Sequence, residues 1–328
     1  MKKLTFNERA KYERKRRGLA AALALTVAGS AIAGSATGAL AADEGMSDEM
    51  TTSEADIRTE LADVEHYTIA ARSTLPVGAK KIDLIVNGRR VLDGRVFYLN
   101  GSTYVPMFAF ADWQGSFNYS YNKHTKTALV KGENLEISAS AGKLYILANG
   151  RYFYTENKVI LHNGEIYVPI LPMVKALNGY VNWDSAKNAF AVRSGDTRRL
   201  KNASQFYNAD DVYWLSRIIS AEAGAEPLKG KIAVGNVVLN RVRSEHFPDT
   251  IYGVVFDKKF GVQFSPVANG TIYKKPTIES VIAAKICLEG YTLSEDILYF
   301  MNPRIASSSW ISKNRELAFS IGGHDFYN

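Results

Sequence analysis

Asn100-Gly101-Ser102-Thr103-Tyr104-Val105-Pro106 and Asn163-Gly164-Glu165-Ile166-Tyr167-Val168-Pro169 are two versions of one seven-residue string. An Asn-Gly pair between β-branched or aromatic runs is the strongest short hairpin signal. The signal recurs upstream of each copy, where Asn87-Gly88-Arg89 is repeated as Asn149-Gly150-Arg151. Flanking runs such as Ile82 to Val86, Tyr152 to Tyr154 and Val159 to Leu161 have the composition of short strands. Each copy continues into a short helical pattern and then a strand carrying Tyr119 or Trp183. The spacing predicts two tandem β-hairpin/helix units over residues 79–195, too few for a solenoid. Core packing and strand-to-helix turns account for the repeated Tyr and Pro residues.

Downstream the period changes. Residues 196–208 read as a linker, and a mainly helical domain follows over 209–328. Asp210 or Asp211 is positioned to cap a helix with Val212, Leu215, Ile218 and Ile219 on its apolar side. Ile232, Val234, Val237, Val238 and Val242 mark a second helix. A third is predicted from Pro276-Thr277, with Thr277 as N-cap, to Leu288, with Gly290 stopping it. Residues Gly261 to Lys275 read as a loop rich in polar and aromatic side chains. The fold class is therefore α+β, a β-rich tandem-repeat module followed by a helical domain.

The first 41 residues have a separate character. They carry eight Lys and Arg against Glu8 and Glu13, a net +6, which leaves +1 for the rest of a 328-residue chain whose total is +7. A basic head ending at Arg17, an Ala/Leu/Val/Gly stretch from Gly18 to Leu40, and Ala39-Leu40-Ala41 have the form of a cleaved export signal. An uncleaved membrane anchor is the alternative, since the stretch is long enough to cross a bilayer if Gly and Ser are tolerated. With the basic excess confined to this leader, a nucleic-acid role is not indicated. Residues 42–78 begin as an acidic spacer, part of which, near Ile57 to Val64, has the makings of a short solvated helix. At 46% hydrophobic and 22% charged, the chain as a whole is neither disordered nor collagen-like. Cys287 is its one cysteine, which excludes an intrachain disulfide and fits a small core residue.

Glu222 is the candidate for chemistry. It lies in Ile218-Ile219-Ser220-Ala221-Glu222-Ala223-Gly224-Ala225-Glu226-Pro227, where Gly224 and Pro227 end the first helix. The negative end of the helix dipole disfavours an ionised acid there, and burial beside Ile218, Ile219 and Trp214 acts in the same direction. A carboxyl that keeps its proton near neutral pH is what a general acid needs. Spacing alone leaves open the plain alternative of a solvated glutamate at a helix end.

Two resemblances sharpen these readings. The Asn-Gly…Tyr-Val-Pro module resembles the N-terminal domain of copper amine oxidases, as found in secreted and surface proteins of Gram-positive bacteria. The name implies no copper here, because His66, His124 and His162 lack ligand spacing, so no metal or other cofactor is expected. Residues 209–328 resemble the spore-cortex-lytic cell-wall hydrolase family. The likeness runs through Ala221-Glu222-Ala223…Glu226-Pro227, Gly230 to Val234, Val237 to Val242, Phe247-Pro248, Gln263 to Val267 with Asn269-Gly270, Tyr299-Phe300 with Asn302-Pro303, and Gly323-His324…Phe326-Tyr327. Many relatives have Arg or Gly between the two glutamates, where this chain has Gly224 and Ala225.

The second resemblance implies a lysozyme/lytic-transglycosylase-like fold acting on the glycan strands of peptidoglycan, with Glu222 as the catalytic acid. It implies a secreted, cell-wall or spore-envelope location in a bacterium. A lytic transglycosylase needs only one carboxyl: the acid protonates the glycosidic oxygen between N-acetylmuramic acid and N-acetylglucosamine, then takes the proton of the muramic C6 hydroxyl to close a 1,6-anhydro ring. A hydrolytic muramidase would need a second carboxylate, for which Glu226 and Asp257 are near in sequence. Glu226 has a turn-stabilising role as its alternative, and Asp257 a surface one. Gln263, Ser265 and Asn269 suit hydrogen bonds to sugars, and Phe264, Tyr299 and Trp310 suit stacking on pyranose rings. The alternative for Phe264 and Tyr299 is core packing, and for Asn302 a turn before Pro303. His324 is expected to lock the chain end by a hydrogen bond. A non-catalytic wall-binding protein with a retained groove is the remaining reading, and the β module offers a surface for a wall or protein partner.

Overall fold

A computed structural model describes residues 74–328 apart from 92–93, 197–199, 260 and 307. The export leader expected over 1–41 and the helix expected near Ile57 to Val64 lie outside the described residues, as does the acidic stretch as far as residue 73. Among the described residues, no helix is long and apolar enough to cross a membrane.

Asn100 and Asn163 both adopt left-handed backbone, at φ 48° and 50°, and the glycines after them sit at φ 87° and 77°. Positive φ at both central residues is the two-residue turn whose twist matches that of paired strands. The same geometry at Asn87-Gly88 and Asn149-Gly150 closes two more hairpins. In chain order the module holds β1 (Lys80–Lys81), β2 (Asp83–Val86), β3 (Arg89–Val91), β4 (Phe97–Leu99), β5 (Ser102–Pro106), α1 (Met107–Asp112), β6 (Asn118–Asn122) and β7 (Thr127–Lys131). It continues with β8 (Glu136–Ser140), β9 (Tyr145–Ala148), β10 (Arg151–Tyr154), β11 (Ile160–His162), β12 (Glu165–Pro169), α2 (Ile170–Ala176), β13 (Tyr180–Asp184) and β14 (Ala189–Arg193).

The two similar strings meet in the middle of one sheet, ordered β1-β4-β5-β12-β11. β5 and β12 pair antiparallel with Val105 opposite Val168, and each string's Tyr faces the other's Pro. A second sheet runs β13-β14-β2-β3, joined by the parallel pair β14 and β2. A third runs β10-β9-β8-β7-β6. The last hairpin of each half thus extends a sheet begun in the other half. The enclosed core includes Leu84, Val105, Met107, Phe110, Ile137, Ile146, Val168, Ile170 and Met173. A buried Arg95–Glu165 pair at 2.7 Å crosses the module, and Tyr167 Oη donates to the same carboxylate at 2.9 Å.

Among its described residues, the stretch read as a linker is anchored at Leu200. Leu200 is buried, Asn149 Nδ2 donates to its carbonyl, and α3 (Ala203–Phe206) follows. The helical part then holds α4 (Ala209–Ala223), α5 (Leu228–Arg243), α6 (Ile251–Val255), α7 (Ser265–Ala268) and α8 (Ile278–Leu288). It closes with β15 (Tyr299–Met301), α9 (Trp310–Asn314), β16 (Leu317–Ile321) and β17 (His324–Tyr327), the three strands forming a sheet in the order β15-β17-β16. Helices α4, α5 and α8 pack around Gly235, where a Cβ would stand 2.7 Å from Cys287 Sγ and 2.9 Å from Ile219 Cδ1. Only glycine lets the three backbones approach this closely.

Thr277 caps α8, its side chain accepting from Ser280 N, and Gly290 follows at φ 85°. The α4 cap differs from expectation. Asn208, not Asp210 or Asp211, accepts from Asp211 N. The two aspartates lie inside the first turn, where their charges face the positive helix end. The stretch read as a loop over 261–275 contains α7 and a 3-10 turn at Thr271–Tyr273.

The two parts share a buried seam. Tyr152 and Tyr154 of β10 belong to the apolar cluster of the helical part. Arg151 forms a two-pronged pair with Glu289 at 2.8 and 2.7 Å, and Tyr207 Oη donates to Glu289 at 2.6 Å. The Phe206 ring lies 3.5 Å below the Arg151 guanidinium. Beside this seam is a cavity of about 530 Å³ bordered by Tyr98, Leu171, Trp183, Tyr154, Glu156 and Tyr291.

Candidate active site

Glu222 stands in the last turn of α4. Spacing of four residues puts Trp214, Ile218 and Glu222 on one side of that helix. Burial raises the Glu222 carboxyl from its ordinary 4.5 to about 7, against an opposing pull from the Arg241 guanidinium. The acid is therefore substantially protonated at neutral pH, the state needed for proton donation. Among the described residues no hydrogen bond or ion pair engages it, so its proton is uncommitted within the protein.

Arg241, in the last turn of α5, acts on this acid through its charge and was not singled out by the sequence reading. Its Nε donates to the Leu298 carbonyl at 2.8 Å. Phe247, Phe264 and Tyr299 present rings to its guanidinium at 5.0, 5.2 and 5.5 Å. Burial pulls its pKa down to about 10, while Tyr299, Asp257 and Glu222 each act to raise it. A second buried arginine, Arg217, ties α4 to the loop ahead of α8 by donating to the carbonyls of Tyr273 and Lys274 at 2.9 and 2.6 Å.

Glu226 is committed elsewhere. Its Oε2 accepts from Gly323 N at 3.0 Å, which fastens the start of α5 to the β16–β17 turn. A Cβ on Gly322 would stand 1.7 Å from that oxygen, so the turn is built around the carboxylate. His324 Nδ1 lies 3.5 Å from Glu226 Oε1 without the alignment for a hydrogen bond. The chain end is therefore fastened by the Gly323 N–H, not by the hydrogen bond expected of His324.

The remaining candidates divide. Phe264 is 2% exposed and packs on Arg241 and Phe300, so its ring offers no free face and follows the core-packing alternative. Gln263 donates to the Gly261 carbonyl at 3.2 Å, and Ser265 is an exposed first residue of α7. Asn269 accepts from both Thr271 N and Thr271 Oγ1, and Asn302 from Arg304 N. Both are turn-forming contacts, and the second is the alternative expected of Asn302. Tyr299 connects Arg241 to the surface: Arg315 lies 4.6 Å over its ring and donates to its hydroxyl, and Trp310 packs edge-on at 6.3 Å. Trp310 is 51% exposed, with the Arg315 guanidinium 5.4 Å over its ring. Tyr252 and Tyr273, exposed beside Trp214, form a further aromatic patch that the sequence reading did not name. Asp257 Oδ1 accepts from Lys259 N at 2.9 Å while its charge acts on Arg241.

Comparison with known proteins places both parts. Residues 225–327 match the cell wall hydrolase family, starting just past Glu222, and residues 85–192 match the copper amine oxidase N-terminal domain. A spore cortex-lytic enzyme of Oceanobacillus iheyensis is 35% identical over 125 residues, 38% of this chain and 44% of that one. The spore cortex-lytic enzyme of Bacillus subtilis is 34% identical over 120 residues, 37% and 38% of the two chains. The chain thus spans under half the length of these curated relatives. The solved catalytic domain of the germination-specific lytic transglycosylase SleB from Bacillus anthracis is 34% identical, with 37% of this chain and 97% of that one covered at a TM-score of 0.34. The chain therefore joins a copper amine oxidase N-terminal domain to a cell wall hydrolase domain related in sequence to the spore cortex-lytic enzymes.

Proposed function

We propose that this chain is an exported peptidoglycan-degrading enzyme of the bacterial wall or spore envelope. It cuts the β-1,4 bond between N-acetylmuramic acid and N-acetylglucosamine as a lytic transglycosylase on a lytic-transglycosylase-like helical fold. Relatives named for spore cortex lysis support the cortex as its substrate. The tandem-repeat β module serves to hold it to the wall or to a wall protein.

One observation carries this reading: the Glu222 carboxyl, without a partner among the described residues, is held near pKa 7 by burial, while Glu226 is occupied by Gly323 N. The Glu222 proton passes to the glycosidic oxygen, and the C1–O bond breaks with its electron pair leaving on that oxygen. The new carboxylate then removes the C6 hydroxyl proton as O6 bonds to C1. Donor and acceptor are one group, so no second carboxylate is required. Trp310 and Tyr299 supply a sugar platform at the rim, with Gln263, Ser265 and Asn269 as the polar groups nearest in sequence to α7.

The test is Glu222→Gln on purified peptidoglycan, followed by loss of turbidity. The variant should release no measurable glycan. Solubilisation at the wild-type rate refutes the assignment. Asp257, whose charge acts on Arg241 as Glu222's does, supports a second reading as a water-using muramidase with two carboxylates. Under that reading Asp257→Asn abolishes activity and the products carry reducing muramic ends.

A further inference from the structure

Arg241 is 5% exposed, yet its Nη1 has no hydrogen-bond partner. A buried donor left unused is destabilising, and so is a buried guanidinium without a close anion. An arginine present only to satisfy the Leu298 carbonyl and to pack against rings would waste both. The surroundings fix it firmly: the carbonyl holds Nε, and Phe247, Phe264 and Tyr299 form a three-sided aromatic cage. Three ionisable groups face it, Glu222 from α4, Tyr299 from β15 and Asp257 from the loop after α6, and among the described residues none forms an ion pair with it. A rigid cation with a spare N–H, placed beside an acid that must become an anion, is charge arranged in advance for where negative charge develops.

We propose that Arg241 is the positioning residue of this site, stabilising the carboxylate that Glu222 becomes when its proton moves to the glycosidic oxygen and aligning it to take the C6 hydroxyl proton in the second half of the reaction. The proposal rests on the reading of Glu222 as the acid. It gives the aromatic cage a purpose: Phe264, which is too buried to touch a sugar, holds the cation instead. It also assigns the free Nη1, which engages Glu222 only in the charged state.

The test compares Arg241→Lys and Arg241→Gln in the full chain, measuring kcat and KM on purified peptidoglycan across pH, with thermal unfolding as a check on folding. Activity requires protonated Glu222, so its alkaline limb follows the Glu222 pKa. Removing the cation raises that pKa. Arg241→Gln should move the limb upward by about one pH unit and lower kcat about 10²-fold with little change in KM. Arg241→Lys keeps the charge at a shorter reach and should show the same changes to a smaller degree. If the Gln variant does not fold, the Lys variant decides alone. A folded variant that loses kcat with the limb unmoved overturns the proposal in favour of a packing role. Glu222→Gln run alongside separates the two claims. If it is inactive and the limb stays fixed, only Arg241 is misassigned; if it keeps wild-type activity, the reading of the acid itself fails.

Discussion

The acid proposed for the reaction should cost the fold stability, and Glu222→Gln exposes the cost. The carboxyl is raised from 4.5 to about 7 by burial. Below pH 4.5 the folded and unfolded chains both hold this proton, and the wild type and the variant differ only by an amide. As pH rises past 4.5 the unfolded chain releases the proton and the folded chain does not, so wild-type stability declines. The decline ends once pH has passed through the folded value near 7. At about 1.4 kcal/mol per unit, the wild type should be about 3 kcal/mol less stable than the glutamine variant at pH 8. In a unit of this size that is roughly 6–12 °C in Tm. Urea unfolding of both proteins at pH 4, 5.5 and 8 measures it. The variant should gain progressively across the series while losing activity throughout. An equal stability difference at pH 4 and pH 8 would refute the claim that Glu222 is held protonated by burial.

Other consequences follow from the same geometry. Gly322→Ala places a Cβ 1.7 Å from Glu226 Oε2 at a residue with φ 60°, and should lower stability by about 2 kcal/mol or more in denaturant titration. Glu226→Gln should cost about 1–2 kcal/mol by weakening the Gly323 N–H contact, with the reaction product unchanged by mass spectrometry. Glu289→Gln strands the buried Arg151 and should cost about 3–5 kcal/mol, with the seam between the parts opening to limited proteolysis. Trp310→Ala should leave stability within about 0.5 kcal/mol and raise KM for glycan roughly three- to tenfold through lost stacking.

Local chemistry made much of this legible beforehand. The Asn-Gly turns were readable because only a few residue types accept two consecutive left-handed positions, and Thr277 and Gly290 marked α8 for similarly local reasons. What escaped the sequence depends on distant partners. A local miss is the α4 cap, where Asn208 stands two and three residues ahead of Asp210 and Asp211. The β15-β17-β16 sheet joins short segments, and its β16–β17 turn is anchored by Glu226, about a hundred residues earlier in the chain. Phe264 looked like a sugar platform because an aromatic beside Gln263 and Ser265 suits that role, but its ring is consumed by Arg241, 23 positions earlier. Arg241 itself looked like an ordinary basic residue near a helix C-terminus, and only its burial and unused N–H distinguish it. Glu222 was legible from helix punctuation and family likeness, whereas its isolation from hydrogen-bond partners was visible only in three dimensions.

The central claim is that one carboxyl does both proton transfers, and the mass of the released fragments tests it most directly. Purified peptidoglycan digested by the full chain should yield muropeptides ending in 1,6-anhydro-muramic acid, each one water lighter than its hydrolytic counterpart. Fragments ending in reducing N-acetylmuramic acid would contradict the account and move the chemistry to a second carboxylate and a bound water.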